Sequence, residues 1–303
     1  MSDDGRRRHY GGFYGLEELP ATGRPRLAVF GNCQAEALRV ALDTSGALDT
    51  VRMPPVHELE EADLPHLDRL LTWVDVLVAQ SVADDYRGMP LGTAQVAARL
   101  RPPARVVAAP NYFFTGLYPE QVLVRHPDVE DPPVVPYHDV RRLARAAGWD
   151  GPWEAPPALV RELAADSLAE LERREHAQGS LRISDVVRAA GAEAGRTVDH
   201  PGNAVLLALA GRVLEEVRPG AGAGVQDPGR VLLASVATPL SQGVLEALDL
   251  RGEPRAGWVV DGEAVSDDEV GAAHQEFYAR HPRVVEVGMA KKEDLLRRWG
   301  WRG

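Results

Sequence analysis

The clearest pattern in the chain is a set of short apolar runs that alternate with helical segments. The runs at 26–30, 75–80 and 105–109 are rich in Val, Leu and Ala, which is typical of buried strands. Between them, leucines recur at helical spacing over 59–73, and a further helix is predicted over 91–100. Strand, helix, strand, helix, strand is the order of a parallel α/β sheet.

From about residue 137 the strand pattern fades and helical periodicity dominates. Helices are expected over 137–147, from Pro156-Pro157, over 204–217, over 270–279 and over 292–299, with one strand-like run at 231–233. The pattern therefore predicts an α/β fold with a helix-rich C-terminal half, forming a single domain over 26–303. Residues 1–25, rich in Gly, Arg and Pro, are predicted to form a mobile N-terminal tail.

Composition excludes several classes of protein. The chain has 303 residues, of which 45% are hydrophobic and 26% charged, as in ordinary globular proteins. A net charge of -11 argues against general binding to nucleic acid or to a membrane surface. No apolar run is long enough to span a bilayer or to act as a secretion signal, so we expect a cytoplasmic location. The single cysteine excludes an internal disulfide and a paired-cysteine zinc site, and we expect no metal.

That cysteine, Cys33, follows the first apolar run directly and precedes a helical segment. Gly31 permits a sharp turn, and Asn32 and Gln34 place amides on both sides of the sulfur. A thiol at a helix N-terminus is favoured as the reactive thiolate, so Cys33 is a candidate nucleophile. The alternative is that Cys33 packs as a small apolar side chain.

The other predicted strand ends also carry polar residues. Gln80 and Ser81 end the second run, and Asn111 follows the third. Ligands of parallel sheets bind beyond the carboxyl ends of the strands, so we predict that these side chains contact the substrate or its oxyanion, together with Gly31, Asn32 and Gln34. Arg87, a few residues later, is the arginine chosen to meet an anionic ligand; the alternative is an ion pair with a neighbouring aspartate.

A thiol nucleophile commonly works with a base, and two histidines stand out among the nine. His138 and His200 each lie in a polar turn before a helix, next to Asp139 and Asp199 respectively. For each, the alternative is a turn histidine that bonds to the backbone. Adjacent positions in sequence do not establish a catalytic triad.

Taken in order, these segments resemble the WcbI-type capsular polysaccharide acetyltransferases. The resemblance runs from about residue 26 to at least 240 and is carried by Gly31-Asn32-Cys33-Gln34, Gln80 with Tyr86-Arg87, the segment 110–116, Tyr137-His138-Asp139, and the segment 199–203. It implies a coenzyme A-binding enzyme with a three-layer fold like that of SGNH hydrolases, in which Cys33 occupies the nucleophile turn. Two positions depart from the family pattern: Tyr118 stands where a histidine is expected, and Asp199 where an asparagine is expected.

The resemblance therefore implies an acyl-CoA-dependent O-acetyltransferase acting on a sugar or glycan hydroxyl, with Cys33 as nucleophile or as a residue of the coenzyme A site. His138 is the first choice as base and His200 the second, and Tyr86, Arg87 and Tyr118 are assigned to coenzyme A binding. Two alternatives stay open: a thiol-dependent esterase or deacylase, and a non-catalytic protein that binds coenzyme A or a glycan. The acceptor, the acyl group and the oligomeric state are not determined by the sequence.

Overall fold

The structure, a computed structural model, describes residues 3–303. Its α-helices are α1 Asp3–His9, α2 Gly11–Tyr14, α3 Cys33–Asp43, α4 Leu64–Trp73, α5 Thr93–Ala97, α6 Val140–Ala146, α7 Pro157–Gln178, α8 Ser184–Ala190, α9 Asn203–Val217, α10 Gln242–Ala247, α11 Asp267–Arg280 and α12 Pro282–Trp299. Its strands are β1 Arg26–Phe30, β2 Asp49–Thr50, β3 Val76–Gln80, β4 Arg105–Ala109, β5 Gln121–Val122, β6 His138–Asp139, β7 Val236–Ala237, β8 Trp258–Val260 and β9 Glu263–Val265.

The predicted parallel sheet is present and has four strands in the order β2-β1-β3-β4. Leu27 pairs with Val76, and Val76 in turn pairs with Arg105. The three apolar runs thus form three neighbouring strands, because a strand covered on both sides is apolar along its whole length. β2 is only two residues long and lies at the edge. The fold is mixed α/β, as predicted.

The described residues group into two compact units, and the single domain expected over 26–303 stays a prediction. Unit 1 comprises the described residues up to Tyr112, together with Leu171–Ala189 and Pro201–Leu233. Unit 2 comprises Phe113–Glu170, Ala190–His200 and Ala234–Gly303. The chain passes from one unit to the other several times, and composition along the sequence marks no such crossing.

Unit 1 holds the parallel sheet and the helices that cover it. Ala28 and Phe30 of β1 and Leu77 of β3 pack in one buried cluster with Leu67 and Leu70 of α4. Alternate residues of a strand point to opposite faces, so the neighbouring residues of β1 face the other side of the sheet. α3 contacts β1, while α9 packs against α3 and against β4.

The prediction of a mobile N-terminal tail is wrong for residues 3–14. Residues 3–14 form α1 and α2, and Phe13 is fully buried in the same cluster as the sheet. The hydroxyl of Tyr14 donates to Asp63 (2.8 Å), and Arg6 forms an ion pair with the same carboxylate (2.7 Å). Tyr10, Phe13 and Tyr14 supply the apolar contacts with the cluster. The Gly- and Arg-rich composition of the segment gave no sign of them. Residues 1 and 2 lie outside the described part.

Unit 2 is built around α6, α11 and α12, whose apolar faces meet in a second cluster that includes Leu143, Phe277 and Leu296. It also contains an antiparallel sheet of β7, β8 and β9. The strand expected at 231–233 is wrong: Leu233 has a left-handed backbone (φ 51°), and the strand is β7, three residues later, where β8 supplies the pairing. In the described part of the chain, no helix combines the length and the apolar character needed to cross a bilayer.

Candidate functional site

The predicted nucleophile turn lies at the point in unit 1 where the order of the sheet reverses. From β1 the chain passes to β2 on one side of β1, and β3 then adds on the other side. The carboxyl ends of β1 and β3 therefore flank a crevice of the kind in which open α/β sheets bind ligands. Cys33 is the first residue of α3, directly beyond β1, and it is half-buried.

Asn32 caps the helix that Cys33 opens. Its side-chain oxygen accepts a hydrogen bond from the backbone N–H of Gln34 (2.9 Å). Ser, Thr, Asp and Asn are preferred at this position because they satisfy an N–H that the helix leaves unpaired. Since the Oδ1 atom is used in the cap, the side-chain NH₂ of half-buried Asn32 is the donor that remains beside Cys33.

Two buried glutamines hold this turn to the next two strand ends. The Oε1 atom of Gln80 accepts from the N–H of Asn32 (2.9 Å), and its Nε2 donates to the Oε1 of Gln34 (3.3 Å) and to the carbonyl of Pro110 (3.3 Å). Gln34 in turn donates to the carbonyl of Tyr112 (2.9 Å) and accepts from its N–H (3.0 Å). The ends of β1, β3 and β4 are thereby fixed to one another.

This network changes the expected role of both glutamines. Gln34 and Gln80 are 4% and 3% exposed, and the cavity that they line is about 10 Å³, too small for a substrate. The backbone N–H groups of Asn32 and Gln34 already have acceptors within the protein. Gln34 and Gln80 therefore position the turn, and the side-chain amide of Asn32 is the better candidate for an oxyanion donor.

Gly31 is required by the same network. A Cβ atom at residue 31 would overlap the side-chain amide of Gln80. The carbonyl of Gly31 also accepts from the N–H of Val56 (2.8 Å). Gly31 thus allows Gln80 to reach across the turn, which is a packing role rather than a contact with the substrate.

Ser81 and Asn111 lie at the rim of the same strand ends. Asn111 donates from its side chain to the carbonyl of Ser81 (3.3 Å), and its own carbonyl accepts from Arg174 (3.1 Å). The side-chain oxygen of Asn111 is buried without a hydrogen-bond partner among residues 3–303. Ser81 is exposed. Both remain predicted substrate contacts.

Tyr86 and Arg87 lie on a surface turn of unit 1 in which Asp85, Arg87 and Gly88 all have positive φ. Arg87 is exposed and donates to the carbonyl of His57. It lines a cleft of about 380 Å³ with Glu60 and Glu61. Neither carboxylate forms an ion pair with Arg87 in the described chain, and the assignment of Arg87 to coenzyme A remains a prediction.

His138 belongs to the interior of unit 2. It is 1% exposed, its Nδ1 lies 2.9 Å from the hydroxyl of Tyr278, and its ring stacks on that residue. Burial, together with the nearby imidazole of His274, lowers the pKa of His138 to about 4. A neutral, enclosed imidazole has no route to a substrate, so the geometry disfavours the first choice of base.

His200, the second choice, is half-buried in unit 2. Burial lowers its pKa, the positive charge of Arg196 acts in the same direction, and Asp199 opposes both. The carboxylate of Asp199 accepts from the hydroxyls of Tyr137 (2.7 Å) and Thr197 (2.8 Å), which fixes its position beside the histidine. A neutral imidazole near neutral pH is the form that a general base requires.

Tyr118, expected at the coenzyme A site, is fully buried in unit 2. Burial raises its pKa to about 12, and its hydroxyl donates to the carbonyl of Gly195 (2.8 Å). It therefore supports the segment that leads to His200 and does not present its ring to a ligand.

These geometric features accompany a clear family match. The family described as polysaccharide biosynthesis enzyme WcbI has a sequence model that matches residues 26–220. The chain belongs to the WcbI family. The matched region includes every residue assigned above to the site, from Gly31 to His200.

A solved structure described as WcbI, a novel polysaccharide biosynthesis enzyme, shares the fold. The TM-score is 0.74 over 91% of this chain and 96% of that chain, at 19% sequence identity. That structure is described as the native protein without a disulfide bond between coenzyme A and a cysteine. No curated protein matches the chain.

Sequence reasoning about this WcbI-family chain missed a group of charged residues in unit 2. Glu120 lines a cleft of about 580 Å³ together with Arg255, and burial raises the pKa of Glu120 to about 7. The sequence carried little signal for either residue, since each stands alone in a loop. Among the described residues no three His, Cys, Asp or Glu side chains come together as metal ligands would.

Proposed function

We propose that the chain is an acyl-CoA-dependent O-acetyltransferase that acts on a sugar or glycan hydroxyl. The observation that carries the proposal is the position of the half-buried Cys33, the first residue of α3, at the reversal point of the sheet. Membership of a polysaccharide biosynthesis family supports a glycan acceptor. The solved relative, whose description names a bond between coenzyme A and a cysteine, supports coenzyme A as the acyl carrier.

In the covalent form of the proposal, the Cys33 thiolate attacks the thioester carbonyl. The oxygen then carries a negative charge, which the side-chain NH₂ of Asn32 stabilises, and coenzyme A leaves as its thiolate and takes up a proton. The acceptor hydroxyl attacks the resulting thioester as a general base removes its proton, and Cys33 leaves as the thiolate. In the direct form, Cys33 only lines the thiol site and the acceptor attacks acyl-CoA itself.

The same position explains the proposed kinship with SGNH hydrolases and their three-layer fold. A nucleophile between a strand and a helix receives its activation from the helix N-terminus and stands clear of the sheet. Cys33 has this position. Arg87 is the proposed contact for a phosphate of coenzyme A, because it is exposed and has no carboxylate within ion-pair distance in the described chain.

The decisive test is the mass of the intact protein after a brief pulse of acetyl-CoA. The covalent form predicts an added acetyl group that is absent in Cys33→Ala, and a loss of turnover by at least about a hundredfold in that variant. Undiminished turnover by Cys33→Ala would eliminate the covalent form. Cys33→Ser, which keeps a hydroxyl of similar size, is the matched control for packing.

An esterase or deacylase would use the same turn with water as the acceptor. The half-buried Cys33 beyond the end of β1 fits this reaction equally well, since hydrolases place their nucleophile there. Hydrolysis of acyl esters at the same rate with and without coenzyme A would favour this reading. Acyl transfer that requires coenzyme A would exclude it.

A further inference from the structure

Two arginines of unit 2 stand close together without a carboxylate partner. Arg196 and Arg255 are both half-buried, and neither forms an ion pair with any of residues 3–303. The Nε atom of Arg196 is buried and has no hydrogen-bond partner within that range. Burial lowers the pKa of Arg196, and the charge of Arg255 lowers it further, whereas Tyr118 and the exposed Glu193 act in the opposite direction.

The chain holds the two arginines together through two links. Thr238 donates its N–H to the carbonyl of Arg196 (3.0 Å) and accepts at its own carbonyl from the Nε of Arg255 (2.7 Å). Tyr118 provides the second link, because its hydroxyl lies 3.4 Å from the guanidinium of Arg255 and donates to the carbonyl of Gly195. Neither link neutralises a charge.

Two other half-buried arginines of unit 2 have carboxylate partners. Arg141 pairs with Asp139 at 2.6 Å, and Arg142 pairs with Asp267 at 2.8 Å. Two desolvated positive charges side by side are unfavourable unless another group compensates them. The protein maintains this arrangement although its net charge is -11.

We propose that Arg196 and Arg255 bind a phosphate group of a substrate. Arg255 lines the cleft of about 580 Å³ in unit 2, so a ligand can reach its guanidinium. Four carboxylates line the same cleft: Asp267 is paired with Arg142, burial raises the pKa of Glu120 to about 7, and Glu154 and Glu246 are exposed. Guanidinium groups offer paired N–H donors that match the oxygens of a phosphate. Two positive charges without an ion-pair partner in the described chain fit a doubly charged phosphate ester or diphosphate better than a singly charged carboxylate.

The phosphate has two possible sources. One is the diphosphate or the phosphate monoester of coenzyme A, and the other is a phosphorylated sugar that serves as acceptor. The identity of the phosphate donor rests on the proposed acetyl transfer, whereas the ability of the two arginines to bind phosphate does not depend on it. Phosphate binding and its source are therefore tested in separate experiments.

The first arm measures the binding of inorganic pyrophosphate to the full-length protein by calorimetry. We expect saturable binding by the wild type, weakened at least about tenfold in Arg196→Gln and in Arg255→Gln. Arg297→Gln, which removes the same charge from an arginine of unit 2 that is paired with Glu293, should bind as the wild type does. Absence of binding by the wild type, or equal affinity in all four proteins, would overturn the proposal.

Thermal unfolding separates binding from structure. The Nε atom of Arg196 has no hydrogen-bond partner and the residue forms no ion pair within residues 3–303, so Arg196→Gln should unfold without ligand at the wild-type temperature or above it, as like-charge repulsion is relieved. Pyrophosphate should raise the unfolding temperature of the wild type and not that of the variant. The same rise in both proteins would contradict the proposal.

The second arm identifies the source. If coenzyme A supplies the phosphate, both variants bind coenzyme A and dephospho-coenzyme A more weakly and bind pantetheine, which lacks phosphate, unchanged. If the acceptor supplies it, the variants bind coenzyme A normally and lose affinity for a sugar 1-phosphate; normal binding of both ligands would overturn the proposal. Pyrophosphate binding retained by Cys33→Ala, in the absence of any acetyl transfer, would leave the phosphate site standing while the proposed function fails.

Discussion

Gln34 and Gln80 explain why amide side chains occupy the interior of a parallel sheet. Each polar atom of the Gln80 side chain has a partner, and Gln34 satisfies both backbone groups of Tyr112. Buried amides are tolerated when they are fully hydrogen-bonded. Their effect is to fix the turn that presents Cys33.

Replacement of Gln34 by methionine tests this role. The change leaves the N–H and the carbonyl of Tyr112 without these partners, and an unsatisfied buried group costs roughly 1 to 3 kcal/mol. We expect the free energy of unfolding, measured by urea denaturation, to fall by about 2 to 4 kcal/mol. Gln226→Met, at an exposed position of unit 1, should change it by less than about 0.5 kcal/mol. Equal stability of the two variants would mean that the network is not structural.

The two candidate bases are distinguished by their burial. His200→Asn should lower kcat at least about a hundredfold without a matching loss of stability, since a general base contributes this much. His138→Gln should lower stability and leave kcat within about threefold, because His138 is enclosed beside Tyr278. Steady-state kinetics with acetyl-CoA decides between them, and a larger loss of kcat in His138→Gln would reverse the assignment.

At the scale of elements, the side chain of Gln80 in β3 holds β1, the turn after it and α3 together. Gly31→Ala places a Cβ atom against the side chain of Gln80, which has buried partners and cannot move away. We expect a loss of about 2 to 3 kcal/mol in the free energy of unfolding. The rate at which iodoacetamide modifies Cys33 should change as well, because the turn that presents the thiol is displaced.

The matched control for this change is Gly224→Ala, also in unit 1. A Cβ atom there has its nearest neighbour at 3.8 Å, an ordinary contact. The control should keep the wild-type stability and the wild-type reactivity of Cys33. If Gly31→Ala keeps the wild-type free energy of unfolding and the wild-type reactivity of Cys33, residue 31 tolerates a side chain. The close contact of the Gln80 side chain with the turn would then not be required.

At this scale the sequence predicted the longer strands and most long helices, but it placed the start of α12 ten residues late and missed the short strands. The strands at 26–30, 75–80 and 105–109 were found because each is a continuous apolar run that the sheet buries. The two-residue strands β5 and β6 depend on their pairing with each other, which no local pattern encodes. The predicted strand at 231–233 failed for the same reason.

For the whole molecule, we expect the buried histidine His138 to contribute to the loss of stability in acid. The folded-state pKa of His138 is about 4, below the value of about 6.5 expected in the unfolded chain. Between these values the unfolded chain binds a proton that the folded protein does not. The contribution is therefore complete above pH 6.5 and is lost as the pH falls through 4, by about 3 kcal/mol in total.

Urea denaturation of wild type and His138→Gln from pH 4 to pH 7.5 measures this linkage. The stability difference between the two proteins should shrink as the pH falls. Only the wild type has a buried imidazole that resists protonation in the folded state and is protonated in the unfolded chain. His176→Gln, at an exposed position, is the control and should follow the wild type. A stability difference that is constant with pH would show that His138 does not contribute to the acid limit.

The sequence by itself determined the parallel sheet, the turn at Cys33 and the resemblance to the WcbI family. These depend on local patterns: apolar runs, a glycine and an asparagine at a helix start, and short motifs in a fixed order. Only the tertiary structure decided that Gln34 and Gln80 are buried ties, that His138 is enclosed, and that Arg196 and Arg255 stand together. Burial and the pairing of charges are set by residues far apart in the chain, so a side chain's position in sequence does not reveal what surrounds it.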